Sequence, residues 1–250
     1  MKALAKLVCV AMMIGFWSST PLLAAEVRVS AAASLSEALR DLAAIYTESF
    51  PEARILPNFG ASGALARQIE QGAPADLYLS ANARWMEHLV AAGRISAGDV
   101  QILAGNSLVV VGQADLKMES LDDLARLARI ALVNPRSGPA GEYAEQALQA
   151  AGVHAAVAGK LVMAQDVRQA VVYADRGEVD VALVYKSDAL LARRAVILYQ
   201  FSADLHDGIS YPMALTKSGR ANPHAVAFFD FLQSDDARRT LEQYGFIVAP

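Results

Sequence analysis

Five short stretches carry residue types that could hold an anion. Ser34 follows the small run Ala31-Ala32-Ala33 and precedes an apolar series at helical spacing, so its hydroxyl stands where a strand gives way to a helix. Ser62, in Phe59-Gly60-Ala61-Ser62-Gly63, stands at a second such junction, among neighbours small enough to let backbone amides approach a ligand. Pro139-Ala140-Gly141 and Asp166-Val167-Arg168 have the make-up of two more helix starts, with a first-turn proline in one and an aspartate N-cap in the other. Tyr185 ends the alternating series Val179, Val181, Leu183, at the carboxyl edge where open parallel sheets bind ligands. The chemistry these stretches share is capture. First-turn amides lack helical acceptors and sit at the positive end of the helix dipole, and a hydroxyl beside them donates to an oxyanion.

Each stretch also fits a purely structural role. Ser34 and Glu37 have capping-box spacing, in which the serine oxygen accepts from a first-turn amide and the glutamate reaches back. Asp166 can serve only as a cap, and a buried Tyr185 can spend its hydroxyl on a core partner. Catalytic readings fare worse. Gly60-Ala61-Ser62 starts like the nucleophile elbow of a serine hydrolase, but position 64 is alanine where the motif needs glycine. His88, His154, His206 and His224 lie far apart, with no pair at metal-ligand spacing and no evident base for a serine. The expectation is a binding protein and not an enzyme, with no cofactor and no metal coordinated by side chains.

The elements that must position these groups begin after a leader. Lys2 and Lys6 precede the apolar run 7–17, followed by Ser18-Ser19-Thr20-Pro21 and a small-residue end, so residues 1–25 read as a cleaved signal peptide. The run is too short to span a bilayer, which takes about 20 residues. The single cysteine, Cys9, lies inside the run after Val8, not after the small residue expected before a lipidated cysteine. The mature chain is therefore expected in the periplasm, soluble, monomeric and free of thiols and disulfides. Without the two leader lysines, 20 basic side chains face 26 acidic ones, a formal charge of −6 that argues against nucleic acid as partner. An anion would have to be held by local dipoles against this net field.

Strand and helix alternate at intervals that suit parallel sheets covered on both faces, an α/β class. Strands are expected at 54–59 and 75–80, with helices at 62–71 and 82–92, the second ended by Gly93. The longer apolar run 103–111 reads as a crossing into a second lobe. There, a helix at 121–127, strands at 130–133, 160–163, 179–185 and 195–199, and helices from about 140 and at 166–175 repeat the scheme. Residues 211–216 read as the return crossing, with Pro212 confining that segment to an edge or crossing position. Helices at 223–232 and 235–244 finish the first lobe. The division is thus 26–106 and 214–250 for one lobe and 107–213 for the other, with a ligand cleft between them.

With these residues in view, the chain resembles the periplasmic molybdate-binding proteins of ABC-type uptake systems. The likeness runs through the mature chain: AAASL at 31–35, LARQIEQGAPADLYLSA at 65–81, then GNSLVVV, PAGEYA, DVRQA and VYKSDA in that order. The resemblance implies a two-lobed periplasmic solute-binding fold, each lobe a mainly parallel sheet flanked by helices, with two crossing strands as hinge. It implies that molybdate or tungstate is held by Ser34 and Ser62 through hydroxyl and amide, by the amides of Ala140 and Val167, and by the Tyr185 hydroxyl. It also implies an ABC-type permease in the inner membrane as partner. Gly63 stands where some relatives carry a serine or similar polar residue, so no side-chain contact is expected there. A site made only of donors suits a proton-free dianion and leaves the proton of hydrogen phosphate unpaired, so phosphate should be rejected. Sulfate meets the same condition and is the alternative ligand, and molybdate is preferred to it on the resemblance alone.

Overall fold

A computed structural model describes residues 25–248, so the expected signal peptide, Ala25 apart, lies outside the described residues. Strand β1 (Ala25–Ala32) passes through a 3-10 turn, Ala33–Leu35, into α1 (Ser36–Ser49). Then come β2 (Ala53–Gly60), α2 (Ser62–Glu70), β3 (Leu77–Leu79), α3 (Ala83–Ala91) and β4 (Gln101–Gly105). The middle of the chain forms β5 (Leu108–Gly112), β6 (Ile130–Val133), α4 (Pro139–Ala150), α5 (His154–Val157), β7 (Leu161–Ala164) and α6 (Val167–Asp175). It continues as β8 (Val181–Tyr185), α7 (Lys186–Ala189) and β9 (Val196–Gln200), and β10 (Ser210–Leu215), α8 (Pro223–Phe231) and α9 (Asp235–Gln243) complete it.

These strands make two five-stranded sheets, β2-β1-β3-β10-β4 and β7-β6-β8-β5-β9. In each, the fourth strand alone runs against the others. The reversal follows from the path of the chain. It leaves the first sheet on edge strand β4 and enters the second as β5, then leaves the second on edge strand β9 and returns as β10. The parallel strands are joined by helices that cover the faces, as parallel pairing requires. Strands β5 and β8 are buried at every residue, which is why they read as unbroken apolar runs with little alternation.

Two sequence expectations are corrected here, and of the edge or crossing position left open for Pro212 the edge falls away. The run 103–111 is not one crossing strand: it breaks at Asn106-Ser107, where the Asn106 side chain accepts the Ser107 amide at 2.9 Å. Strand β10 lies inside its sheet, between β3 and β4, despite Pro212. The missing N–H falls at a register shift between Tyr211 and Pro212 opposite β4, while the Pro212 carbonyl accepts from the Ser80 amide at 2.9 Å. The expected helix at 121–127 is a 3-10 helix, Leu121–Arg126, closed at its start by a capping box of Ser120 and Asp123.

The helices owe their place to one apolar face each. In α1, Ala38, Leu39, Leu42 and Tyr46 are buried at helical spacing, and the Tyr46 ring meets Phe228 of α8 edge-on at 5.0 Å. A smaller core of Leu65, Ile69, Tyr78, Trp85, Met86 and Leu89 holds α2 and α3 against the first sheet. Fully burying each such side chain contributes roughly 1.5–3 kcal/mol. Helix α3 begins at Asn82, whose side chain accepts the Trp85 amide, and is followed by Gly93 at φ 66°, a left-handed backbone that glycine adopts without strain.

Candidate anion-binding site

Four helix starts converge on one small cavity. It measures about 20 Å³ and is lined by Ala32, Ala33 and Ser34, by Gly60, Ala61 and Ser62, and by Ala81 from the first sheet's side. Val133, Gly138, Pro139, Ala140, Asp166, Val167 and Tyr185 line it from the other. A water-sized sphere takes roughly 10–15 Å³ on this measure, so the space suits a small ion and no larger molecule. Ser34, Ser62, Ala140, Val167 and Tyr185, expected from the sequence, all lie on it. The small side chains that fill the rest of the lining keep the backbone within reach of whatever lies inside.

The local chemistry differs from the expected caps. Ser34 is not an N-cap: Leu35 holds that position of α1, and the Ser34 Oγ lies 2.9 Å from the Tyr211 hydroxyl. Glu37 bonds Arg40 and closes no capping box with Ser34. Ser62 is the first residue of α2, after the N-cap Ala61, and its Oγ accepts the Ala81 amide at 3.0 Å. With that lone pair used, its proton can be turned into the cavity. Its carbonyl is held by the Tyr78 hydroxyl at 2.9 Å, which fixes the start of the helix. Asp166 does cap α6, accepting the Gln169 amide at 3.0 Å, although it also borders the cavity. Pro139 occupies the first turn of α4 as expected.

The amides of Ser62, Ala140 and Val167 lie in the first turns of their helices, where no acceptor exists within the helix. Tyr185 is 1% exposed, and its hydroxyl has no hydrogen-bond partner among the described residues. Leaving such a group unpaired costs about 1–3 kcal/mol, and Tyr185 lines the cavity, so an acceptor held there would satisfy it. Burial pushes the phenol well above its usual value, with Tyr211, Tyr143 and Asp188 adding to the shift, so the group remains a donor throughout the ordinary pH range.

Contacts across the cleft join the two sides. The Gly63 amide donates to the Ser137 carbonyl at 2.9 Å. Glu142 on α4 accepts from Asn82 Nδ2 at 3.1 Å and from Arg84 at 2.9 Å, and Arg168 on α6 lies 3.9 Å from Glu37 on α1. The glycine at 63 has a steric cause. A Cβ there would come within 2.4 Å of the Trp85 ring and 2.7 Å of the Ser137 carbonyl oxygen. Trp85, Glu142, Asn106 and Tyr211 went unnoticed in the sequence. Tyr211 lies 177 positions from Ser34, a pairing no local pattern encodes.

Among the described residues no cluster of three or more histidine, cysteine, aspartate or glutamate side chains could hold a metal ion, and no helix is long and apolar enough to cross a membrane. No histidine lines the cavity.

Comparison with known proteins agrees with this architecture. The profile of the family described as bacterial extracellular solute-binding protein matches residues 27–247. The putative ABC transporter substrate-binding lipoprotein YvgL of Bacillus subtilis is 39% identical over 220 residues, 87% of this chain and 85% of that protein. The molybdate-binding protein ModA of Escherichia coli is 36% identical over 231 residues, 89% of each chain. The solved substrate binding domain of a putative molybdenum ABC transporter from Clostridium difficile superposes with a TM-score of 0.70 at 31% identity, covering 90% of this chain and 99% of that one. Fold, cavity and sequence converge on solute binding and not on enzymatic turnover, and the chain belongs to the bacterial extracellular solute-binding protein family.

Proposed function

We propose that this protein captures molybdate, and tungstate with it, in the cleft between its two sheets and delivers it to an ABC-type permease in the inner membrane. The observation that carries the reading is the buried, unpartnered Tyr185 hydroxyl at a small cavity ringed by helix starts. On this reading Ser34 and Ser62 bind the oxyanion through hydroxyl and amide, Ala140 and Val167 through their amides, and Tyr185 through its hydroxyl. The relatives named for molybdate and for molybdenum transport support the choice of ligand.

The donor set supports the selectivity. A tetrahedral dianion without protons can accept from every one of these groups, whereas hydrogen phosphate brings a donor that the ring does not match. Sulfate satisfies the same ring and is the alternative ligand. The lobes, 26–106 with 214–250 against 107–213, close on the anion about the two crossings, the segment 210–213 pairing within the first sheet. The protein works as an exported, periplasmic monomer after loss of residues 1–25. Calorimetric titration of the mature protein with molybdate, tungstate, sulfate and phosphate tests the assignment. One-to-one binding of molybdate and tungstate ahead of sulfate, with phosphate far weaker, is expected; binding of phosphate without molybdate would overturn it.

A further inference from the structure

Behind Ser34, away from the cavity lining, a chain of side chains decides which way its hydroxyl points. Asn106, in the first crossing, has its Oδ1 on the Ser107 amide at 2.9 Å. A backbone amide can only donate, so the carboxamide oxygen is fixed on that side and the nitrogen on the other. Nδ2 then donates to Ser187 Oγ at 2.8 Å and to the Tyr211 hydroxyl at 3.2 Å, which uses both of its protons. The Tyr211 oxygen thus accepts from Asn106, and its own proton has Ser34 Oγ, 2.9 Å away, as its acceptor. Ser34, accepting from Tyr211, is left with its proton for the cavity. Ser34, Tyr211, Asn106 and Ser187 are at most 7% exposed, so solvent has little access with which to reverse the order. Hydroxyl chains of this kind polarise one another and strengthen the terminal donor.

We propose that Asn106 and Tyr211 are positioning residues whose one-way hydrogen-bond chain holds Ser34 as a donor, making that corner of the site selective for a proton-free dianion against hydrogen phosphate. The inference rests on the oxyanion reading of the cavity. It extends specificity to residues that do not touch the ligand, one from each crossing between the sheets.

The Asn106→Asp variant reverses the chain with almost no change of shape. One carboxylate oxygen keeps the Ser107 amide, and the other replaces Nδ2 and can only accept. Ser187 and Tyr211 then both donate to it, and three donors hold the carboxylate ionised. Tyr211 accepts from Ser34, whose proton leaves the cavity and whose lone pair faces the ligand instead. Molybdate loses a donor, and hydrogen phosphate gains an acceptor for its proton. At pH 8 both ligands are dianions, so the added negative charge weakens them alike and their affinity ratio isolates the direction of the chain.

The test is titration of wild type, Asn106→Asp and Tyr211→Phe with molybdate, with phosphate read by competition, and melting curves for all three. The expected ratio of molybdate to phosphate affinity falls by about tenfold or more in Asn106→Asp, the cost of one mismatched buried hydrogen bond. It falls part-way in Tyr211→Phe, where Ser34 is free to turn. If Asn106→Asp does not fold, Tyr211→Phe carries the test. A purely structural role predicts that both anions weaken together with the ratio unchanged, which would overturn the chain while leaving wild-type molybdate binding, and the function, intact. Absence of wild-type binding to any tetrahedral dianion would overturn the oxyanion reading itself.

Discussion

Tyr185 is the residue that best separates an anion site from an ordinary core position. Tyr185→Phe removes one charge-assisted hydrogen bond, worth roughly 1.5–3 kcal/mol, so molybdate affinity should fall by about one to two orders of magnitude. Melting without ligand should be unchanged or slightly raised, because the lost hydroxyl has no partner among the described residues. Asp188 gives a second expectation. It is fully buried, 3.5 Å from Arg168, and burial pushes its carboxyl up to about 7 against the partial opposition of that guanidinium. Between about pH 4, where an unfolded aspartate ionises, and pH 7, the folded chain keeps a proton the unfolded chain has lost. Its contribution to stability is therefore complete at low pH and lost as pH rises through that window. Asp188→Asn should remove this slope from melting temperatures measured between pH 4 and 8. At this scale the sequence singled out residues that share one cavity, but not the bonds that they make. Ser34 and Ser62 were legible from their small neighbours, but their oxygens serve Tyr211 and Ala81, distant in sequence, instead of capping their own helices.

The helix starts and the crossings are the elements on which the site depends. Gly63 lies where α2 meets the loop before α4, and its lack of a side chain lets the Trp85 ring and the Ser137 carbonyl close over it. Gly63→Ala inserts a methyl group into that contact. Overpacking of this kind costs about 1–3 kcal/mol, so molybdate affinity should fall by roughly one order of magnitude while secondary structure by circular dichroism stays intact. An unchanged affinity would mean that this contact plays no part in holding the ligand. Helix starts were readable because caps, first-turn prolines and small residues are local signals: Asp166, Asn82 and Pro139 stand where the sequence put them. The crossings were read less well. A run such as 103–111 looks continuous because both of its strands are apolar, and only the Asn106 side chain, turned back on the Ser107 amide, marks the break. Pro212 pointed to an edge or a crossing; it lies on the return crossing, where a register shift accommodates it inside the sheet.

For the whole molecule, the alternation of strand and helix was enough to predict two α/β lobes, while the direction of β5 and β10 depended on which sheet the chain had just left. On the proposed reading, closure draws on contacts that no sheet contains. Glu142 joins Asn82 and Arg84 across the cleft, partly exposed to solvent, where an ion pair is worth about 0.2–1 kcal/mol. Glu142→Ala should therefore raise the dissociation rate of molybdate by about two- to fivefold in stopped-flow displacement, with the association rate little changed. A negatively charged protein holds an anion on this account because first-turn amides and inward-turned hydroxyls supply a local positive field that the net charge does not cancel. The most direct test is crystallographic: the mature protein grown with molybdate, with anomalous scattering recorded at the molybdenum edge. The account predicts a single strong peak in the cavity, within hydrogen-bond reach of Ser34, Ser62, Ala140, Val167 and Tyr185. A peak elsewhere on the molecule, or none at saturating molybdate, would contradict it.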